Sequence, residues 1–290
     1  MTCPDTSSTD VGAAAPIHDP YLPVSAFIIC KDEAGFIEDC IRSLKHFAEI
    51  VVVDSGSTDG TLDILARLSD AEGWPIRVIS HGWLGYAGQK QFAIEQCRQP
   101  WCFNIDADER IDSDLHAALS GLIDAPATVV GWRLGRRAYL VGYGFAPLTT
   151  HERHVLRLVR RGRAAFDLKT AVHEGMVPDG PVGIAKRGRI LNYRPLQIDE
   201  QILKENKYST LKAEQRFAEG RKPQPWRLVV SPVLYFFRVY INNRFFLSGR
   251  AGFILAMTAA IYAFLTEAKV IQRHILAARP SHDDMDGEEL

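Results

Sequence analysis

From residue 23 onward the apolar and polar positions alternate between two periods. The run VSAFIIC (24–30) is short, apolar and rich in β-branched residues, and KDEAGFIEDCIRSLKHF (31–47) then repeats Phe36, Ile37, Cys40, Ile41 and Leu44 at helical spacing. This predicts a strand followed by a helix. The alternation continues with EIVVVD (49–54) as strand, TDGTLDILARLSD (58–70) as a helix capped by Asp59, IRVIS (76–80) as strand, GQKQFAIEQCRQ (88–99) as helix and WCFNID (101–106) as strand. Strands and helices in this order predict an α/β fold, with a mostly parallel sheet covered by helices on both faces.

A further helix is predicted at 113–124 and a strand at 128–134. Residues 133–194 are rich in Arg, Gly and short apolar pieces without helical period, which predicts an irregular or antiparallel half. Helical character returns at 199–220 and stops at Pro223 and Pro225. Domain limits follow: a disordered tail over 1–22, a catalytic domain over 23–199, a C-terminal helical region over 200–275 and an acidic tail over 276–290. The N-terminal stretch has neither a basic segment nor a long apolar run, so no secretory signal is expected.

With 290 residues, 47% hydrophobic and 24% charged, the chain can bury a large core. Its formal net charge of −1 argues against a nucleic-acid partner. Five cysteines, an odd number with no C-x-x-C pair, sit mostly in apolar patterns and read as reduced, buried thiols of a cytoplasmic protein.

In parallel sheets ligands bind beyond the carboxyl ends of the strands. Acidic residues stand there repeatedly: Asp32 and Glu33 after the first strand, Asp54 at the end of the second, and Asp106 and Asp108 at the end of the fourth. Any one of them suits a turn or a cap equally well. Neither G-x-G-x-x-G nor G-x-x-x-x-G-K-[ST] occurs, so a glycine-rich phosphate cradle is not expected. A D-x-D pair can instead hold Mg²⁺ or Mn²⁺, the shell being completed by water and substrate phosphate.

The blocks VSAFIICKDEAGFIEDCIRSL, EIVVVDSGSTDGT, HGWLGYAGQKQFAIE and WCFNIDADERI resemble, in order and spacing, the family 2 glycosyltransferases, and more narrowly the lipopolysaccharide-core β-1,4-glucosyltransferase branch. The resemblance runs over 23–270. It implies a GT-A fold and inverting transfer from a nucleotide-diphosphate sugar, UDP-glucose in this branch. It further implies that Asp54 contacts the uracil, Glu33 holds the nucleoside, Lys90 supports the diphosphate, and Asp108 ligates Mg²⁺ or Mn²⁺ with Asp106 beside it. Two positions depart from the family pattern, Asp32 and Gln91, where asparagine is usual.

Direct displacement also needs a base for the acceptor hydroxyl. LKTAVHEGM (168–176) matches the family's His-Glu block and implies Glu174, next to His173; an ion pair of Glu174 with an arginine of 153–163, or Glu109 or Asp167 as base, stay open. His151, His154 and His173 do not have zinc-ligand spacing.

Residues 226–270 are dense in aromatic and aliphatic side chains, with Arg227, Arg238, Arg244 and Arg250 among them. The uncharged run 251–266 falls short of the roughly 18 residues of a spanning helix, so an interfacial position on an anionic membrane surface is expected, or else an ordinary helical pair packed on the catalytic domain or on a second subunit of a homo-oligomer. The expected acceptor is a lipid-anchored glycan such as lipopolysaccharide core, reached from the cytoplasmic face of the inner membrane. A polyprenyl-linked or protein acceptor, or a silent nucleotide-sugar-binding module, are the alternatives.

Overall fold

The structure is a computed structural model that describes residues 21–140, 144–146, 154–168, 175–195 and 197–278. Its first half follows the strand-helix alternation: β1 (Leu22–Cys30), α1 (Ile37–Ser43), β2 (Phe47–Asp54), α2 (Thr61–Ala66), β3 (Ile76–Ser80), α3 (Gly85–Glu95) and β4 (Trp101–Asn104). Then come β5 (Glu109–Ile111), α4 (Ser113–Ile123), β6 (Gly131–Leu140), β7 (Gly144–Phe145), β8 (His154–Arg160), β9 (Ala164–Phe166), β10 (Met176–Pro178) and β11 (Val182–Asn192). Three helices follow, α5 (Ile198–Ala218), α6 (Arg227–Phe237) and α7 (Gly249–Ala277).

The main sheet has the order β3-β2-β1-β4-β8-β6-β11-β5, with β7 paired to β6, while β9 and β10 form a separate ribbon. It is parallel across β3, β2, β1 and β4. Beyond β4 the sheet is mixed, because β8 runs antiparallel to both β4 and β6. Two reversals restore the direction, so β6 runs with β4, and β11, parallel to β6, does too. The carboxyl end of β11 therefore reaches the same rim as the ends of β1, β2 and β4.

Alternate side chains of β1 enter opposite layers, as the two-residue period of a strand requires. Val24, Ala26 and Ile28 pack with Ile37, Ile41, Leu65, Leu115 and Leu119 from α1, α2 and α4, whereas Phe27 joins Ala93 and Ile94 of α3 and Phe166 and Met176 of the ribbon. Each such large side chain, fully buried, contributes about 1.5–3 kcal/mol. The four described cysteines are all buried within these layers.

Several boundaries differ from the periodicity. Helix α1 is shorter than predicted, since residues 31–36 form the loop that carries Asp32 and Glu33. At α2 the N-cap is Gly60, with φ of 92°, and Asp59 sits one residue earlier, where its carboxylate accepts from the Thr61 amide at 3.1 Å. Asp112 does cap α4, accepting from Leu115 N at 2.7 Å. Gly188, at φ of 79°, lies so close to α4 that an added Cβ would sit 2.1 Å from Leu115 Cα. That approach seats β11 and aims its end at the rim.

Helices α5, α6 and α7 pack on one another. Arg216 pairs with Glu267 at 2.8 Å, Gln201 donates to Thr258 Oγ1 at 2.7 Å, and Lys269 reaches Ser209 and Thr210. The helical run Phe245–Ala277, which contains an 18-residue stretch of mean hydropathy 1.6, is long and apolar enough to cross a membrane by length and composition, which the uncharged run 251–266 alone is not. One face of α7 is nevertheless buried, including Thr258, Thr266 and Glu267. The opposite side of the pair is open: Val229, Leu234 and Phe237 of α6 are 69%, 64% and 50% exposed.

Candidate active site

The loops after β1 and β2 are stitched together by their own polar side chains. Asp32 N donates to Ser57 Oγ, Thr58 N to Asp32 Oδ1, Glu33 N to Thr61 Oγ1 and Ala34 N to Asp59 Oδ2, all within 2.7–2.9 Å. Asp32, at φ of 55°, thus takes part in fixing the loop. Asp54 ends β2 almost wholly buried and accepts from Gly56 N at 2.8 Å, from Ser57 N at 3.1 Å and from the Ser57 hydroxyl. Burial pushes its carboxyl up, but the Ser57 and Gly56 donors outweigh this and hold it below the usual carboxylate range.

Beyond β4 the carboxylates meet cations. Asp106 accepts from Lys90 Nζ through Oδ1 at 2.8 Å and from Arg157 Nη2 through Oδ2 at 2.9 Å. Burial pushes this carboxyl up, yet Arg157 and Lys90 hold it well below the ordinary value. Glu109, fully buried, pairs with Arg136 and with Arg157 Nη2 at 3.0 Å. Burial, with Asp106 close by, raises its carboxyl in spite of both arginines. Arg157 also donates to Asn104 Oδ1.

Asp108 is held differently. Its Oδ1 accepts from Asn192 Nδ2 at 3.0 Å and its Oδ2 from Arg194 Nε at 2.8 Å. Nη2 of the same guanidinium lies 2.6 Å from each Glu33 oxygen, so Arg194 bridges the tips of β1 and β4. Burial and the neighbouring Asp108 push the Glu33 carboxyl up against the pull of Arg194. The crowding of acids after β4 is thus balanced by guanidinium and ammonium groups of this chain.

Glu33, Asp54, Lys90, Asp106 and Asp108 therefore all lie along one sheet edge. Lys90 directs its charge at Asp106, and Gln91 ties α3 to β9 by accepting from Phe166 N at 2.8 Å. Glu174, His173 and His151 fall outside the described residues. Sequence reasoning missed Arg157, Asn192 and Arg194. The segment ILNYR carries the signature that marked WCFNIDAD, an apolar strand running into polar residues, but only the strand order shows that both end on one rim.

Carboxylate oxygens are hard donors of the kind Mg²⁺ and Mn²⁺ take. Among the described residues no three His, Cys, Asp or Glu side chains converge as a complete metal site. The donor set fits a cation bound through one or two carboxylates, with substrate and water supplying the rest. Of the two carboxylates of the D-x-D pair, Asp106 is engaged by the buried Lys90 and Arg157, whereas Asp108 meets the more exposed Arg194, which it shares with Glu33.

The family described as "Glycosyl transferase family 2" matches residues 25–172. A curated relative, "Lipopolysaccharide core biosynthesis glycosyltransferase LpsC" of Rhizobium meliloti (strain 1021), is 57% identical over 265 residues, covering 91% of this chain and 98% of its own. An uncharacterized glycosyltransferase of Rickettsia bellii (strain RML369-C) is 32% identical, covering 85% of each chain. Among solved structures, the mannosyltransferase PcManGT from Pyrobaculum calidifontis in complex with GDP-Man and Mn²⁺ aligns with a TM-score of 0.49 at 16% identity, over 92% of this chain and 79% of that one. By the family match and by these relatives, the chain belongs to glycosyl transferase family 2 and is a glycosyltransferase.

Proposed function

We propose that this glycosyltransferase moves a hexose, glucose by resemblance, from a UDP-sugar to a lipid-anchored glycan of the lipopolysaccharide-core type, inverting the anomeric centre. The observation that carries this reading is the meeting of Glu33, Asp54 and Asp108 on one sheet edge, with Arg194 bridging two of them. The likeness to LpsC supports the acceptor class.

In this reading the stitched loops after β1 and β2 receive the nucleoside, Asp54 reaching the uracil and Glu33 bordering the nucleoside. Asp108, with Glu33 beside it, would hold a divalent cation. Bound there, Mg²⁺ or Mn²⁺ supplies Lewis-acid neutralisation of the departing diphosphate. Asp106 acts by fixing Lys90 and Arg157 below the site rather than as a ligand. Glu174 takes the acceptor hydroxyl's proton as the oxygen attacks the anomeric carbon from the side opposite the nucleoside diphosphate.

The exposed apolar side chains of α6 and α7, with Arg238, Arg244 and Arg250 exposed among them, support an interfacial position at the cytoplasmic face of the inner membrane. A panel of nucleotide sugars, screened by thermal shift with Mn²⁺ present and absent, tests the donor assignment. UDP-glucose with Mn²⁺ is expected to raise Tm most. No rise with any nucleotide sugar contradicts it.

A further inference from the structure

The cations of the rim differ in how firmly they are held. Lys90 and Arg157, which neutralise Asp106, have side chains only 8% and 9% exposed, so both are fixed within the fold. Arg194 is 42% exposed, and it spans Glu33 and Asp108 from a segment that has already left β11. Its guanidinium lies over the Phe36 ring, 4.9 Å from the centroid, with solvent on its open side. If it withdrew, two carboxylates would face each other with no charge between them, which costs free energy until another cation arrives.

We propose that Arg194 is an exchangeable counter-ion. Without donor it occupies the electrostatic position between Glu33 and Asp108; when nucleotide and divalent cation bind, it leaves Asp108 and turns onto the diphosphate oxygens. The inference rests on the reading that this rim binds a nucleotide-diphosphate sugar. Two consequences follow from charge alone. A free divalent cation must compete with a guanidinium tethered to the chain, and it meets a weak site. A diphosphate gives the displaced guanidinium a bidentate partner of its own, so metal and nucleotide each raise the other's affinity. Arg194 is thus a positioning residue that makes the site take its two ligands together.

The test measures Mn²⁺ binding to the full chain by electron paramagnetic resonance, with and without UDP, for the wild type, Arg194→Gln and Arg194→Lys. Thermal melts of each protein check the fold. The wild type is expected to bind Mn²⁺ at least tenfold more tightly with UDP than without. Arg194→Gln should bind Mn²⁺ alone at least tenfold more tightly than the wild type, and its gain from UDP should shrink to a few-fold. Arg194→Lys, which keeps the charge but not the planar fork, should fall between them. Should wild type and Arg194→Gln bind UDP but show the same Mn²⁺ affinity, the exchange is overturned while the nucleotide reading stands. Should the wild type bind no UDP under any metal condition, both fall. If Arg194→Gln does not fold, wild-type Mn²⁺ affinity in a folded Arg194→Lys overturns the exchange, and tighter Mn²⁺ binding by Arg194→Lys than by the wild type supports it.

Discussion

Asp106 and Asp108 are separated by one residue, yet their partners give them different duties. Asp106 satisfies Lys90 and Arg157, both with little exposure, whereas Asp108 faces Asn192 and the half-exposed Arg194. Removing one member of a buried pair strands the other charge and costs about 3–5 kcal/mol. Asp106 is itself 30% exposed, so Asp106→Asn is expected to lose about 2–3 kcal/mol. Asp108→Asn leaves Arg194 its bond to Glu33 and open solvent, and is expected to lose less than about 1 kcal/mol. Urea denaturation of the two variants measures the difference, and equal losses would refute the division. The acids themselves were legible in the sequence, because each follows directly on an apolar strand. Their cations were not, since Arg157 and Arg194 lie 51 and 86 residues further along and meet them only through the sheet order. The arginines of 153–163 offered many candidate partners without saying which carboxylate each would choose.

At the scale of elements, periodicity located α3, α4 and α5, whose boundaries fall close to the predicted segments. It overextended α1, because a loop with its own polar stitching carries Asp32 and Glu33 at the helix entrance. The same limitation hid the strands of 133–194, where burial depends on pairing with β4 and β6 rather than on local alternation. The C-terminal region was legible as helical and apolar, but the polar seam that Glu267 and Lys269 of α7 make with Arg216, Ser209 and Thr210 of α5 was not. What that seam leaves open is an apolar face with Arg238, Arg244 and Arg250 exposed on the same region. Each basic residue near an anionic bilayer contributes about 1 kcal/mol, so replacing all three with Gln should lower partitioning onto anionic vesicles by about two orders of magnitude. Cosedimentation measures this. Raised salt should weaken the wild type in the same direction, leaving a salt-resistant remainder from apolar insertion. A wild type that ignores vesicles and forms a stable dimer through α6 and α7 would assign this face to a second copy instead.

The whole molecule joins a parallel half that delivers carboxylates to one rim and a mixed half that returns β11, with Asn192 and Arg194 behind it, to the same rim. This is a mixed sheet flanked by helices in a family 2 glycosyltransferase, with a helical extension at the C-terminal side. Of the cations that balance the acids, Lys90 comes from the first half and Arg157 and Arg194 from the second, so both halves contribute to the charge balance of the rim. The most direct measurement is transfer of labelled glucose from UDP-glucose to a lipid-anchored lipopolysaccharide-core acceptor, in Mn²⁺, by the wild type and by Asp108→Ala at matched secondary structure. The wild type should transfer, and the variant should lose at least about a hundredfold in turnover, because the carboxylate that meets the departing diphosphate's cation is gone. Wild-type turnover in Asp108→Ala, with divalent metal still required, would contradict the assignment of this rim as the catalytic centre.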